Sequence, residues 1–158
     1  MTSKYLFVYN IAMQNSQLVR ESLEMPKVAT IVNKDTAFGY QLLLDLYGCK
    51  EGACDDLSLC YRFLDEIVDY LGMEKQAPPN IFFTDAKRFP DKAGLSGWAP
   101  LVESSIVIHT LSPKNYISVD IYCCKEFDRK KARSFVQQFF SPKRIDEQYL
   151  LRGLDYYK

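Results

Sequence analysis

The sequence predicts an α+β fold: a two-layer sandwich with a mostly antiparallel sheet and helices on one face. Three observations carry that reading. Short apolar runs bounded by turn residues recur along the chain, two segments place apolar residues at spacings of three and four, and one pair of strand-like runs is joined by a short Pro-containing connection. The 158 residues suit one domain, and a composition of 47% hydrophobic and 25% charged residues is that of a globular chain with a sizeable core.

Residues 1–37 read as an N-terminal extension, with a short strand at Tyr5–Tyr9, a polar stretch through Glu24 and a break at Met25-Pro26. Residues 38–158 form the domain. Tyr40–Tyr47 is apolar-rich, closed by Gly48, and reads as a buried strand. Asp55 or Asp56 caps the helix that follows, in which Leu57, Cys60, Leu64, Ile67, Val68 and Leu71 recur on one stripe before Gly72 ends it. Pro78-Pro79 forces an extended entry into the strand Ile81-Phe82-Phe83, and Phe89–Gly97, rich in turn formers, reads as a loop. Two strands follow, Leu101–Thr110 and Tyr116–Cys124, with Leu111–Asn115 as their hairpin connection. Asp128 caps a second helix bearing Ala132, Phe135, Val136 and Phe139, stopped before Pro142, and Arg144–Leu151 supplies a last strand.

Composition narrows the function. Twenty Lys+Arg balance twenty Asp+Glu, so the basic excess of a nucleic-acid binder is missing, and Arg129-Lys130-Lys131-Arg133 reads as a solvated helix face. No apolar run reaches the ~18–20 residues of a spanning helix, and the start lacks the charged region and small-residue cleavage site of an export signal. Five cysteines, odd in number and without a C-x-x-C pair, then suit free thiols in a reducing cytoplasm. One histidine, His109, excludes a multi-His metal site, and no cysteine spacing suggests zinc.

Few residues can carry chemistry. Glu103-Ser104-Ser105 is polar within a β-rich run, His109 lies five residues on, and Cys123-Cys124 ends the next strand. Ser, His and Cys on adjacent strands could form a nucleophilic site. They equally suit a hydrogen-bonded structural histidine and packed thiols. No G-x-S-x-G, Walker A or G-x-G-x-x-G motif occurs, so the hydrolase, phosphate-loop and Rossmann readings have no support.

Four motifs in order carry a resemblance over about residues 38–155. Gly39–Cys49, Gly94-Leu95-Ser96-Gly97, Glu103-Ser104-Ser105-Ile106-Val107-Ile108-His109-Thr110 and Val119-Asp120-Ile121-Tyr122-Cys123-Cys124 resemble the prokaryotic S-adenosylmethionine decarboxylase proenzyme. That family typically reads G-V-S-G, E-S-H-L-x-I-H-T and V-D-x-F-x-C at the same distances.

The resemblance implies cleavage between Glu103 and Ser104 and conversion of Ser104 to a pyruvoyl group, the only cofactor, with no metal. That cofactor would act as an electron sink through a carbonyl that condenses with the substrate amine. Ser96 and His109 match positions that assist processing, and Cys124 matches the proton donor in turnover. Cys123 is left to packing. Phe89 resembles an aromatic that stacks on the substrate, and Glu103 is implied to bind the substrate as well. The implied substrate is S-adenosylmethionine, in the service of spermidine synthesis, and the implied assembly is a homodimer of processed protomers. There are two departures: the E-S-H of the family stands here as Glu103-Ser104-Ser105, and the G-x-H of its first strand as Gly39-Tyr40-Gln41. They leave open a pyruvoyl-dependent L-ornithine or L-arginine decarboxylase on the same fold, or a non-catalytic regulatory homologue.

Overall fold

A computed structural model describes residues 37–157. The expected extension, with its strand at Tyr5–Tyr9, therefore lies outside the described residues, Ala37 apart. The described chain runs β1 (Gly39–Tyr47), α1 (Leu57–Tyr70), β2 (Asn80–Thr84), β3 (Gly94–Leu101), β4 (Ser104–Leu111), β5 (Tyr116–Cys123), α2 (Arg129–Phe140) and β6 (Arg144–Arg152). The strands form one sheet in the order β2-β3-β4-β5-β1-β6, every neighbouring pair antiparallel.

Both helices start where an aspartate can satisfy a free backbone N–H. The Asp56 side chain accepts from Leu59 N at 2.9 Å, and that of Asp128 from Lys131 N at 3.0 Å. Gly72, at φ +70°, turns the chain away after α1. The apolar stripes then bury Cys60, Phe63, Leu64, Ile67 and Val68 of α1 and Ala132, Phe135, Val136 and Phe140 of α2. They meet Leu42, Leu44 and Leu46 of β1, Ile106 and Ile108 of β4, and Ile117, Val119 and Ile121 of β5 in one core. Burial stabilises each of the Val, Leu, Ile and Phe side chains among them by about 1.5–3 kcal/mol. A slip of one residue would turn a whole strand's set outward, so the core fixes the register. The alternate residues form the opposite face of the sheet: Gln41, Leu43 and Asp45; Trp98; Ser105, Val107 and His109; Ser118, Asp120 and Tyr122.

The two-layer α+β architecture is as predicted, but two segments are not. Phe89–Gly97 is a loop only in its first part, with a short 3₁₀ turn at Pro90–Lys92; from Gly94 it is strand β3. The glycines there serve close packing. A Cβ on Gly94 would lie 2.1 Å from the Thr110 carbonyl oxygen, and one on Gly97 would meet Leu64 and Ile108. The expected single strand Leu101–Thr110 is two strands, because β3 ends at Leu101 and β4 begins at Ser104, paired in a hairpin around Val102-Glu103. Glu103 thus sits in a turn, and Ser104 opens a strand.

Candidate active site

The hairpin turn concentrates unusual backbone at one bond. Ser104 has φ +148°, a region that glycine occupies at ease and other residues hold only under strain of order 1–3 kcal/mol. The Glu103 carbonyl oxygen just before it accepts the Cys124 N–H at 3.0 Å. An N–H aimed at a carbonyl oxygen stabilises the negative charge that forms there when a nucleophile adds. The Ser104 hydroxyl belongs to the very next residue, and its attack on that carbonyl closes a five-membered ring.

The Glu103 side chain is buried although charged. Lys125 Nζ donates to one carboxylate oxygen at 2.7 Å, and Glu74 N donates to the other at 3.3 Å. The Lys125 hydrogen bond, with smaller help from the Glu74 and Glu103 N–H groups, holds the carboxyl below its ordinary range. Ser104 pairs across the sheet with Cys123, which is buried on the core face and whose thiol is pushed up by desolvation. Cys124 is the first residue beyond β5 and is half-buried. Burial raises the Cys123 thiol as it raises Cys49 and Cys60, the latter two to about 12, which keeps these thiols in their protonated form.

The other expected residues gather elsewhere. Ser96 Oγ and His109 Nδ1 lie 3.0 Å apart, because Ser96 and His109 face each other across the β3–β4 ladder. They line a cavity of about 500 Å³ together with Phe89, Thr84, Tyr116 and Ser118. Arg88 stacks its guanidinium 5.0 Å from the centre of the Phe89 ring. Nearby on the same face, burial raises the Asp120 carboxyl above its usual value, with the His109 charge opposing. Ser104 and His109 are five residues apart on β4, which at about 3.4 Å per residue is roughly 17 Å along the strand. The chain therefore brings Glu103, Ser104 and Cys124 to one end of the sheet and Ser96, His109 and Phe89 towards the other. It does not join the two groups.

The two departures from the family pattern share a row. Gln41 and Ser105 both pair with Tyr122, one strand either side of it. Arg152 donates to Gln41 Oε1 at 3.2 Å and lays its guanidinium 4.3 Å over the Tyr122 ring. Among the described residues, no three His, Cys, Asp or Glu side chains cluster in a way that could hold a metal ion. Lys125 and Glu74 were not singled out from the sequence. Lys125 could have been, since it follows Cys124 directly and a β4–β5 hairpin must bring that strand end to Glu103.

The family model described as S-adenosylmethionine decarboxylase matches residues 40–153. The chain belongs to the S-adenosylmethionine decarboxylase family. A relative from Persephonella marina, an S-adenosylmethionine decarboxylase proenzyme, is 31% identical over 120 residues, covering 75% of this chain and 85% of its own. A proenzyme of the same name from Clostridium botulinum strain Langeland is 28% identical over 116 residues, 73% of this chain and 94% of its own. The crystal structure of the adenosylmethionine decarboxylase from Aquifex aeolicus superposes with a TM-score of 0.63 at 27% identity, over 75% of this chain and 92% of that one. The matched span takes in the six described strands, Gly39 apart, and both described helices.

Proposed function

We propose that this chain is a self-processing, pyruvoyl-dependent decarboxylase of S-adenosylmethionine that supplies the aminopropyl donor for spermidine synthesis. The observation that carries the reading is the Glu103–Ser104 bond: a strained serine follows a carbonyl already held by the Cys124 N–H, in a family whose relatives are named proenzymes. Ser104 Oγ adds to the Glu103 carbonyl carbon, the C–N bond breaks, and the hydroxyl proton ends on the freed Ser104 nitrogen, leaving an ester. A base then removes the Ser104 Hα, the Cβ–O bond breaks, and Glu103 leaves as a carboxylate. Water replaces the resulting imine nitrogen, which departs as ammonia. Serine is the residue that supplies both the attacking oxygen and the β-leaving group. The pyruvoyl group so formed supplies an electron sink for decarboxylation.

This chain's own groups do the rest. The Cys124 N–H stabilises charge on the Glu103 oxygen, and the Cys124 thiol delivers a proton to the substrate carbon after CO2 leaves. His109, held by Ser96, handles the proton of the elimination, and Phe89 with Glu103 borders the substrate. These groups act on one bond only if two chains meet, because Ser96 and His109 lie far from Ser104 within one chain. A homodimer that forms before cleavage and persists in the processed protomers meets the need when its two-fold axis runs across the open sheet face along the row of Leu43, Val107 and Asp120, midway between the two groups. The partner's Ser96 and His109 then lie over the Ser104 end of β4, and Trp98 and Leu150, both exposed on that face, become buried. Free thiols suit this assembly in the cytoplasm.

The shared row of Gln41 and Ser105, one position from Ser104, favours a second reading: L-ornithine or L-arginine as substrate of the same chemistry. Denaturing mass spectrometry of the purified protein tests self-processing, with fragments 1–103 and 104–158 expected and the second blocked at its start. Release of labelled CO2 from S-adenosylmethionine, and not from ornithine or arginine, separates the two substrates. A chain that stays intact on prolonged incubation overturns both and leaves a non-catalytic homologue.

A further inference from the structure

We propose that Lys125 is a positioning residue for self-cleavage, locking the Glu103 side chain so that the scissile carbonyl stays on the Cys124 N–H. The inference rests on the self-processing reading above and extends it to a residue outside the matched motifs. Glu103 is held at three points: its carboxylate by Lys125 Nζ at 2.7 Å and Glu74 N at 3.3 Å, and its carbonyl by Cys124 N at 3.0 Å. Glu74 also accepts Val102 N at 3.0 Å, which ties the turn to the chain after α1.

The asymmetry of the ion pair is informative. The Glu103 side chain is 8% exposed and that of Lys125 is 73% exposed. An ion pair with one partner in solvent adds little to stability. Without Lys125, however, the buried carboxylate loses its strongest hydrogen bond, keeps only the weaker backbone N–H groups of Glu74 and Glu103, and must reach for water. The two-residue turn carries both that carboxylate and the strained Ser104, so any such movement lets the Ser104 backbone relax and draws the Glu103 carbonyl off its donor. The contact therefore governs alignment of the bond to be broken more than the fold around it.

The full-length chain is made by cell-free synthesis and its cleavage followed over time by mass spectrometry. Removing a donor at a developing oxyanion outright costs about 10²–10³-fold, and misaligning it costs less, so Lys125→Gln should slow cleavage about tenfold. Lys125→Arg, which keeps the charge and the reach, should restore the rate to within about twofold of wild type. Lys75→Gln removes a comparable lysine from its pairs with Asp65 and Asp69 and should cleave normally. In an uncleavable Ser104→Ala background, Lys125→Gln should lower the melting temperature no more than Lys75→Gln does, the cost of one ion pair with a partner in solvent, which separates misalignment from unfolding. Wild-type cleavage by Lys125→Gln, slow cleavage that arginine fails to restore, or a melting temperature that falls well below that of Lys75→Gln would each overturn the inference. A wild-type chain that never cleaves overturns the self-processing reading, and this inference with it.

Discussion

Strand β4 carries one half of the proposed site near each end, and the two are built in opposite ways. At Ser104 the decisive atoms belong to the backbone: a strained φ, a carbonyl and the N–H of Cys124, with a charged clamp on Glu103. At His109 the backbone is regular strand and the decisive atoms belong to side chains, an imidazole against the Ser96 hydroxyl beside a cavity. A bond that must break once needs a distorted main chain. A proton relay needs only a rigid strand that presents its side chains.

The largest expected effect breaks the first region outright. Ser104→Ala removes the attacking oxygen and the leaving group together, so the protein should remain one chain and release no CO2 from S-adenosylmethionine. His109→Ala, by contrast, should pass the acyl shift and stall at the ester, so that hydroxylamine splits the chain between residues 103 and 104. Co-expressing the two variants then tests whether the two regions meet across a dimer. A mixed dimer has one complete site, Ser104 from the His109→Ala chain with His109 from the Ser104→Ala chain. About half of the His109→Ala chains should cleave if chains pair at random in symmetric dimers. No cleavage in the mixture would place all the machinery within one protomer.

A smaller effect separates processing from turnover. Cys124→Ala keeps the N–H that holds the Glu103 carbonyl, so cleavage should continue, while loss of the proton donor lowers kcat about 10²–10⁴-fold. Cys123→Ala removes a packed core-face thiol and should leave kcat nearly unchanged. If the two outcomes exchange, the strand's functional register is off by one, and the proton donor is Cys123.

The contrast between the two regions also explains what could be read from the sequence. Apolar periodicity located β1, both helices, β5 and β6, because those elements bury one face and their caps, Asp56 and Asp128, are ordinary ones. It missed β3, whose Gly94, Gly97 and Pro100 look like loop residues although tight packing against Thr110, Leu64 and Ile108 demands the glycines. It also missed the turn at Val102-Glu103. Tight hairpins usually announce themselves with glycine or asparagine at positive φ, but neither Val102 nor Glu103 takes one, and the unusual φ falls on Ser104 just after the turn. The local signal was absent because the turn uses none of the residues that mark a left-handed backbone. The side-chain roles proposed for Ser96, Ser104, His109 and Cys124 were suggested by resemblance, since such chemistry travels with residue type. The Cys124 N–H was not, because a backbone donor leaves no pattern, and Lys125 could be reached only through the hairpin that brings the residue after Cys124 to Glu103.

The smallest expected effect contrasts the two regions through their carboxylates, whose pKa values move in opposite directions. The Lys125 hydrogen bond lowers Glu103 below its usual 4.5, whereas burial raises Asp120 above its usual 3.8. For Glu103 the unfolded chain binds the proton more readily than the folded one. Its contribution to stability is therefore present above pH 4.5 and is lost as the pH falls through the depressed value. Asp120 has the reverse sign: the folded state holds the proton more tightly, so its contribution is present below pH 3.8 and is lost as the pH rises through the raised value. Denaturant titrations of the uncleavable Ser104→Ala protein, at fixed protomer concentration across the acid range, expose the difference. Adding Glu103→Gln should flatten the loss of stability on acidification. Adding Asp120→Asn should steepen it, because the group that gained stability in acid is gone. Equal slopes in the two variants would mean that neither carboxylate feels its region as the structure describes. Flattening by Asp120→Asn would instead mean that His109 outweighs burial there, and that the side-chain end of β4 is the more strongly charged of the two.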